Sequence, residues 1–158
     1  MEFEDDVILF FRLAEEHGLR YIMVGGGAVN FHGYRRHSAD VDLWVEPVRE
    51  NFERLKLVLT AMGYGPVEFP ESVVNAEQNI SVNISPAQEI ELITRLDPGC
   101  TFNEAWERSV HVEVSGFQVA KYHVINYEDL IESKVRSARP KDLLDILELR
   151  RIRGEADR

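Results

Sequence analysis

Between Tyr21 and Val45 two apolar runs are joined by a connection that no regular helix would choose. Tyr21-Ile22-Met23-Val24 stops at Gly25-Gly26-Gly27, and a second run, Val41 to Val45, apolar except for Asp42, resumes behind Asp40. Each glycine inside a helix costs about 1 kcal/mol relative to alanine, so three in succession mark a break in the chain's course. Runs of four or five apolar residues suit a strand rather than a helix. The pattern predicts strand, glycine turn, a short helix over Ala28 to His32 ended by Gly33, and strand. Such a chain needs a sheet.

Other periodicities supply the rest of that sheet and its helices. Phe3 to His17 carries apolar residues at positions 3, 7, 10, 11 and 14, a helical spacing, with Gly18 where a C-cap belongs. Pro47 is placed to open a helix running to about Met62, with Phe52, Leu55, Val58 and Leu59 on one face. Ile80 to Ile84 and Glu89 to Ile93 alternate as half-buried strands do, with Pro86 between them. Phe102 to Arg108 reads as a short helix, and Val110 to Val114 with Phe117 to Ala120 as a hairpin turned through Ser115-Gly116. Helices over Tyr127 to Ser137 and Pro140 to about Arg153 close the chain, with Leu143, Leu144 and Leu147 expected in the core. The fold class is α/β or α+β. No repeat or linker interrupts the 158 residues, so 1–158 reads as a single domain.

Composition narrows the setting. The longest apolar runs, such as Val7 to Phe11, fall far short of the roughly 20 residues that span a bilayer, so no membrane partner is expected. The acidic start, MEFEDD, is unlike a basic secretory leader. A single cysteine, Cys100, rules out an internal disulfide and any cysteine-cluster metal site, and points to a cytoplasmic protein. The net charge of −10 disfavours long duplex DNA as a partner. The charge is uneven, however: Lys134 to Arg153 holds seven basic and three acidic residues, +4, which leaves −14 on the remainder. An acidic body with a basic C-terminal end suits a nucleotide and its cations better than a polymer.

The chemistry concentrates in GGGAVNFHGYRRHSADVD, Gly25 to Asp42. Glycines directly after a strand let backbone N–H groups approach a phosphate closely, and a helix start behind them adds a positive end. Asp40 and Asp42 are i and i+2 on a strand, so both carboxylates share a face about 6.6 Å apart along the chain. Paired carboxylates beside a phosphate cradle match magnesium, which takes hard oxygen ligands and fills its sphere with water and substrate phosphates. Phosphoryl transfer with two Mg²⁺ ions calls for a third carboxylate, and Glu91, between Ile90 and Leu92, is the first candidate, with Glu89 next.

The run Gly25-Gly26, His32-Gly33, Arg36-x-Ser38-x-Asp40-Val41-Asp42 resembles the signature of the nucleotidyltransferase superfamily of DNA polymerase β-like fold, and in particular its minimal nucleotidyltransferases and AbiEii-type toxins. Val124 to Lys134 and Arg139-Pro140-Lys141-Asp142-Leu143-x-Asp145 resemble the helical C-terminal end of such proteins, so the likeness covers nearly the whole chain. The resemblance implies a mixed central sheet flanked by helices. It implies transfer of a nucleoside monophosphate from an NTP to an acceptor hydroxyl, on a tRNA end, a protein or a small molecule. Asp40, Asp42 and Glu91 would then be the metal-binding and catalytic carboxylates, and Gly25, Gly26, Arg36, Ser38, Lys134 and Lys141 the nucleotide-binding residues. The sequence departs from the superfamily at two places: Gly26 stands where serine is common, and Glu91 where aspartate is common. A toxin–antitoxin role with a small helical partner protein fits the resemblance, and so does an inactive nucleotide-binding module.

Bland roles compete for several of these residues. Arg36 can reach a phosphate or pair with an acidic strand neighbour, and Ser38 can simply set the turn before the strand. Lys141 and Asp145, four apart on a helix, can form an intrahelical ion pair. His32, Trp44 and Trp106 read as packing residues, and Cys100 has no visible partner.

Overall fold

The computed structural model describes residues 3–36, 40–83, 88–114 and 120–154. In chain order the elements are α1 (Asp5–His17), β1 (Tyr21–Val24), α2 (Gly25–Phe31), β2 (Asp40–Val45), α3 (Arg49–Ala61), α4 (Glu71–Val74), β3 (Ile80–Asn83), β4 (Glu89–Ile93), α5 (Phe102–Arg108), β5 (Val110–Val114), β6 (Ala120–Val124), α6 (Tyr127–Ser137) and α7 (Pro140–Ile152). The strands form one mixed sheet in the order β3-β4-β2-β1-β6-β5. β1 pairs antiparallel with β2 and parallel with β6; β2 pairs parallel with β4; the outer strands β3 and β5 are antiparallel to β4 and β6. The expected mixed α/β class, with its C-terminal helical pair, is the observed one. No described helix is long and apolar enough to cross a membrane.

The core forms where α1 crosses the sheet. Phe11 stacks between Tyr21 and Tyr122, with ring centroids 5.8 and 5.1 Å away. α1 stops at Gly18, whose φ of +69° favours glycine, and the Leu19 N–H closes on the Ala14 carbonyl at 2.9 Å. Buried Asn51 ties the start of β1 to the end of β2. Its carboxamide accepts from the Arg20 N–H and donates to the Arg20 and Glu46 carbonyls, all within 3.0 Å. That clamp is one of the constraints on the β1/β2 register.

Several expectations need correction. The three glycines are not a turn ahead of a helix; they are the first turn of α2, which starts at Gly25 behind Val24. Pro47 does not open α3, because Val48 is its N-cap and the helix begins at Arg49. The second hairpin strand is Ala120–Val124, paired Val114↔Ala120 through Val110↔Val124; residues 115–119 lie outside the described residues. The short helix α4 was not foreseen.

The largest correction concerns α7. Leu143, Leu144 and Leu147 are not core: they are 49%, 51% and 62% exposed. The buried face is Asp142, Asp145, Ile146 and Leu149, an equally regular i, i+3, i+4, i+7 stripe. Hydrophobicity favours the leucine face inward, but ion pairs to Lys134, Arg36 and Arg139 hold the aspartates inside instead.

Candidate active site

Strand alternation puts the acidic residues where sequence placed them. Val41 and Leu43 point into the core and are fully buried, so Asp40 and Asp42 share the opposite face of β2. On β4, Ile90 and Leu92 are buried in the same way, and Glu89 and Glu91 share the other face. The parallel ladder sets Asp40 opposite Glu89 and Asp42 opposite Glu91. Four carboxylates thus occupy one patch of the sheet.

Beside them opens a cleft of about 470 Å³ whose walls include Gly25, Gly26, Asp42, Glu91, Arg36 and Lys141. Gly25 has φ +61°, and a Cβ there would overlap the Asp42 carboxylate. Only glycine lets the chain turn into α2 with Asp42 pressed against it. Burial, followed by the charges of Glu91 and Asp40, raises the Asp42 carboxyl to about 6, against a smaller lowering pull from Lys141 and Arg36. The cations near Asp42 thus offset its burial and its acidic neighbours only in part.

The opposite wall behaves differently. Lys134 is 5% exposed, with its Nζ 2.8 Å from Asp145 Oδ2 and 3.4 Å from Asp142 Oδ1. Asp145 also holds Arg36, whose Nε lies 3.0 Å from Oδ1 and whose Nη2 donates to Oδ2 at 3.1 Å. Asp142 accepts from Arg139 Nε and from the Ser137 hydroxyl, each at 2.8 Å. Burial alone would raise the Asp142 carboxyl; the hydrogen bonds from Arg139 and Ser137, with the Lys134 charge, outweigh it and hold the group well below the ordinary carboxylate range.

Of the nucleotide-binding candidates, Gly25, Gly26, Arg36, Lys134 and Lys141 all line the cleft, whereas Ser38 lies outside the described residues. Arg36 pairs with α7 rather than with a strand neighbour. Asp145, expected as an intrahelical partner of Lys141, instead binds Lys134 and Arg36. That leaves Lys141 as a cleft cation with no ion pair among the described residues. Of the carboxylates, Asp42 and Glu91 line the cleft, while Asp40 sits on the same strand face at an exposed position. Among the described residues no three His, Cys, Asp or Glu side chains converge closely enough to cage a metal ion. His32 is a packing residue, with Nε2 2.7 Å from the Ile125 carbonyl oxygen. Trp44 packs edge-on against Phe102, with centroids 4.9 Å apart.

Sequence reasoning missed Arg95, Asp142 and Arg139 in the cleft wall. Arg95 was within reach of it, because Glu91, Ile93 and Arg95 all line the cleft and continue the two-residue period of β4. Nothing local marks Asp142 as inward, since its neighbour Leu143 is the better core residue.

Among curated proteins no relative matches the chain. A family model described as a nucleotidyltransferase of unknown function, DUF6036, matches residues 8–153, nearly the whole length. With a glycine cradle, an acidic strand face and a basic helical wall meeting in one cleft, the chain belongs to this DUF6036 family of nucleotidyltransferases of unknown function.

Proposed function

We propose that the cleft binds a magnesium-bound nucleoside triphosphate and transfers its monophosphate to an acceptor hydroxyl. The observation that carries this reading is Asp42: a partly buried carboxylate, raised to about 6, facing Glu91 and closed over by Gly25. Like charges set this close are costly unless a cation joins them. The donor set fits magnesium, which needs only one or two protein carboxylates when phosphates supply further ligands. Asp42 and Glu91, with Asp40 beside them, would hold it; two ions are expected. Bound there, magnesium neutralises charge on the phosphates and acidifies the attacking hydroxyl.

The chain's own residues divide the remaining work. Gly25 and Gly26 give the triphosphate access to backbone N–H groups, and Lys141, with no ion pair among the described residues, offers it a positive charge. Arg36 and Lys134 line the same wall, held in place by Asp145. Glu91 accepts the acceptor's proton as the acceptor oxygen bonds to the α-phosphorus. The bond from that phosphorus to the bridging oxygen breaks, and pyrophosphate leaves with the electron pair. A toxin–antitoxin setting rests on the sequence resemblance alone.

The test is label transfer from each α-labelled NTP, with Mg²⁺, to total cellular RNA, protein and small-molecule fractions. Label in none of them, from protein that binds MgNTP, sinks the transfer reaction. A second reading, a nucleotide-binding module without turnover, is favoured by the lack of a three-carboxylate cage among the described residues. Glu91→Gln separates the two. It should leave MgNTP affinity within a few-fold while cutting transfer by roughly 10² or more, the scale of losing one transition-state electrostatic group.

A further inference from the structure

We propose that an open groove beyond Arg95 is the acceptor subsite, and that it takes a small hydroxylated molecule with an apolar body and one anionic group; the inference rests on the transfer reaction proposed above. The groove has a volume of about 550 Å³ and is lined by Trp44, Pro47, Leu96, Cys100 and Phe102, with Arg95 at its edge. It adjoins the cleft, with Arg95, Leu96 and Asp97 lining both.

Its position follows from stereochemistry. In-line displacement requires the acceptor oxygen and the departing pyrophosphate on opposite sides of the α-phosphorus. Crossing the sheet from β1 through β2 to β4, the cleft presents Gly25, then Asp42, then Glu91. The glycines mark the triphosphate side, so the acceptor arrives from the side of β4. Chain leaving β4 forms that approach: Arg95 is two residues past Ile93, and Trp44 continues the Asp40, Asp42 face of β2.

The groove's chemistry sets the acceptor's class. Arg36, Arg136 and Arg139 in the cleft wall are each held by an aspartate, whereas Arg95 makes no ion pair among the described residues. The neighbouring Asp97 pairs with Arg136 at 3.3 Å rather than with Arg95. One unpaired guanidinium beside indole, phenyl and leucine side chains selects one carboxylate or phosphate on an apolar body. Arg95 is four positions past Glu91, no more than about 14 Å of chain. An acceptor that seats its apolar body in the groove and its anion on Arg95 therefore needs its hydroxyl on an arm that extends back along β4 toward Glu91. A polynucleotide is disfavoured by the −14 carried outside Lys134 to Arg153.

Cys100, the only cysteine of the chain, reports on the groove directly. Its alkylation by iodoacetamide, followed by intact mass, should slow at least about fivefold with 4-hydroxyphenylacetate and with phenyl phosphate, but not with uncharged tyrosol. Arg95→Gln should abolish that protection while leaving MgATP affinity within twofold. Fully alkylated protein should bind MgATP normally and lose transfer. Protection by neither anion overturns the subsite. Protection by MgATP itself, with weaker MgATP binding in Arg95→Gln, assigns the groove to the nucleotide. Protection by an oligoadenylate alone overturns the small-molecule class. Failure of the parent to bind MgATP would instead remove the transfer reading, while the alkylation still shows whether the groove takes the anion.

Discussion

Asp40 and Asp42 on β2, and Asp142 and Asp145 on α7, are two closely spaced aspartate pairs beside one cleft. The β2 pair adjoins two more acids, Glu89 and Glu91, across the ladder, and burial drives the Asp42 carboxyl up to about 6. The α7 pair is more deeply buried, at 1% and 2% exposure, yet Lys134, Arg36, Arg139 and Ser137 satisfy it and Asp142 is held low. Burial pushes both toward protonation. Partners decide the outcome: Asp142 is held charged by its ion pairs, whereas Asp42, whose burial nearby cations offset only in part, is the carboxylate that the proposed function assigns to a metal.

Removing the charge that satisfies the α7 pair should produce the largest change. Lys134→Met keeps most of the stem but leaves two buried aspartates short of a cation, and should cost about 3 kcal/mol, the scale of breaking a buried ion pair. Urea denaturation measures it, and a loss under 1 kcal/mol would mean that Arg36 and Arg139 suffice alone. The matching change in the β2 pair, Asp42→Asn, should cut transfer by roughly 10²–10³ and abolish the MgATP-induced rise in melting temperature. A variant that still responds to MgATP as the parent does breaks the cation assignment.

The two pairs should also respond to pH with opposite signs. Between about 4, the ordinary aspartate value, and about 6, folded Asp42 holds a proton that the unfolded chain has released. Stability of the metal-free protein contributed at this group therefore falls as pH rises through that window, by on the order of 2 kcal/mol. Asp142 works the other way. Its lowered value adds stability above the ordinary aspartate range, and that stability is lost as pH drops below it. Melts in EDTA across pH 2 to 7 should show the first slope, between about pH 4 and 6, in the parent and not in Asp42→Asn, whereas the acid-side loss below about pH 4 should persist in both. The smallest effect belongs to the outer face of α7: Leu147→Ser should change stability by less than about 0.5 kcal/mol, as for an ordinary surface position. A loss of several kcal/mol would mean that the leucines, not the aspartates, face inward.

Much of the sheet was readable because strand alternation is local. Tyr21–Val24, Glu89–Ile93 and Val110–Val114 begin and end where their sequence pattern says. Period two alone places Asp40 with Asp42 and Glu89 with Glu91 on their strand faces. Local turn chemistry was less reliable. Three glycines read as a reversal, yet they open a helix: of the three only Gly25 takes a positive φ, and α2 runs on from it.

By itself, then, the amino-acid order determined which residues share a strand face, that Gly18 ends α1, and that a glycine cradle precedes an acidic pair. Only the tertiary structure decided that β2 and β4 are neighbours in a register that puts Glu91 beside Asp42. It alone decided that Lys134 belongs to Asp142 and Asp145 while Lys141 makes no ion pair among the described residues, and that α7 turns its aspartates inward. Alternation and helical period act over a few bonds, so sequence carries them. An ion pair between residues as far apart as Arg36 and Asp145 depends on how whole elements pack, and that packing overrode the hydrophobic preference of one helix.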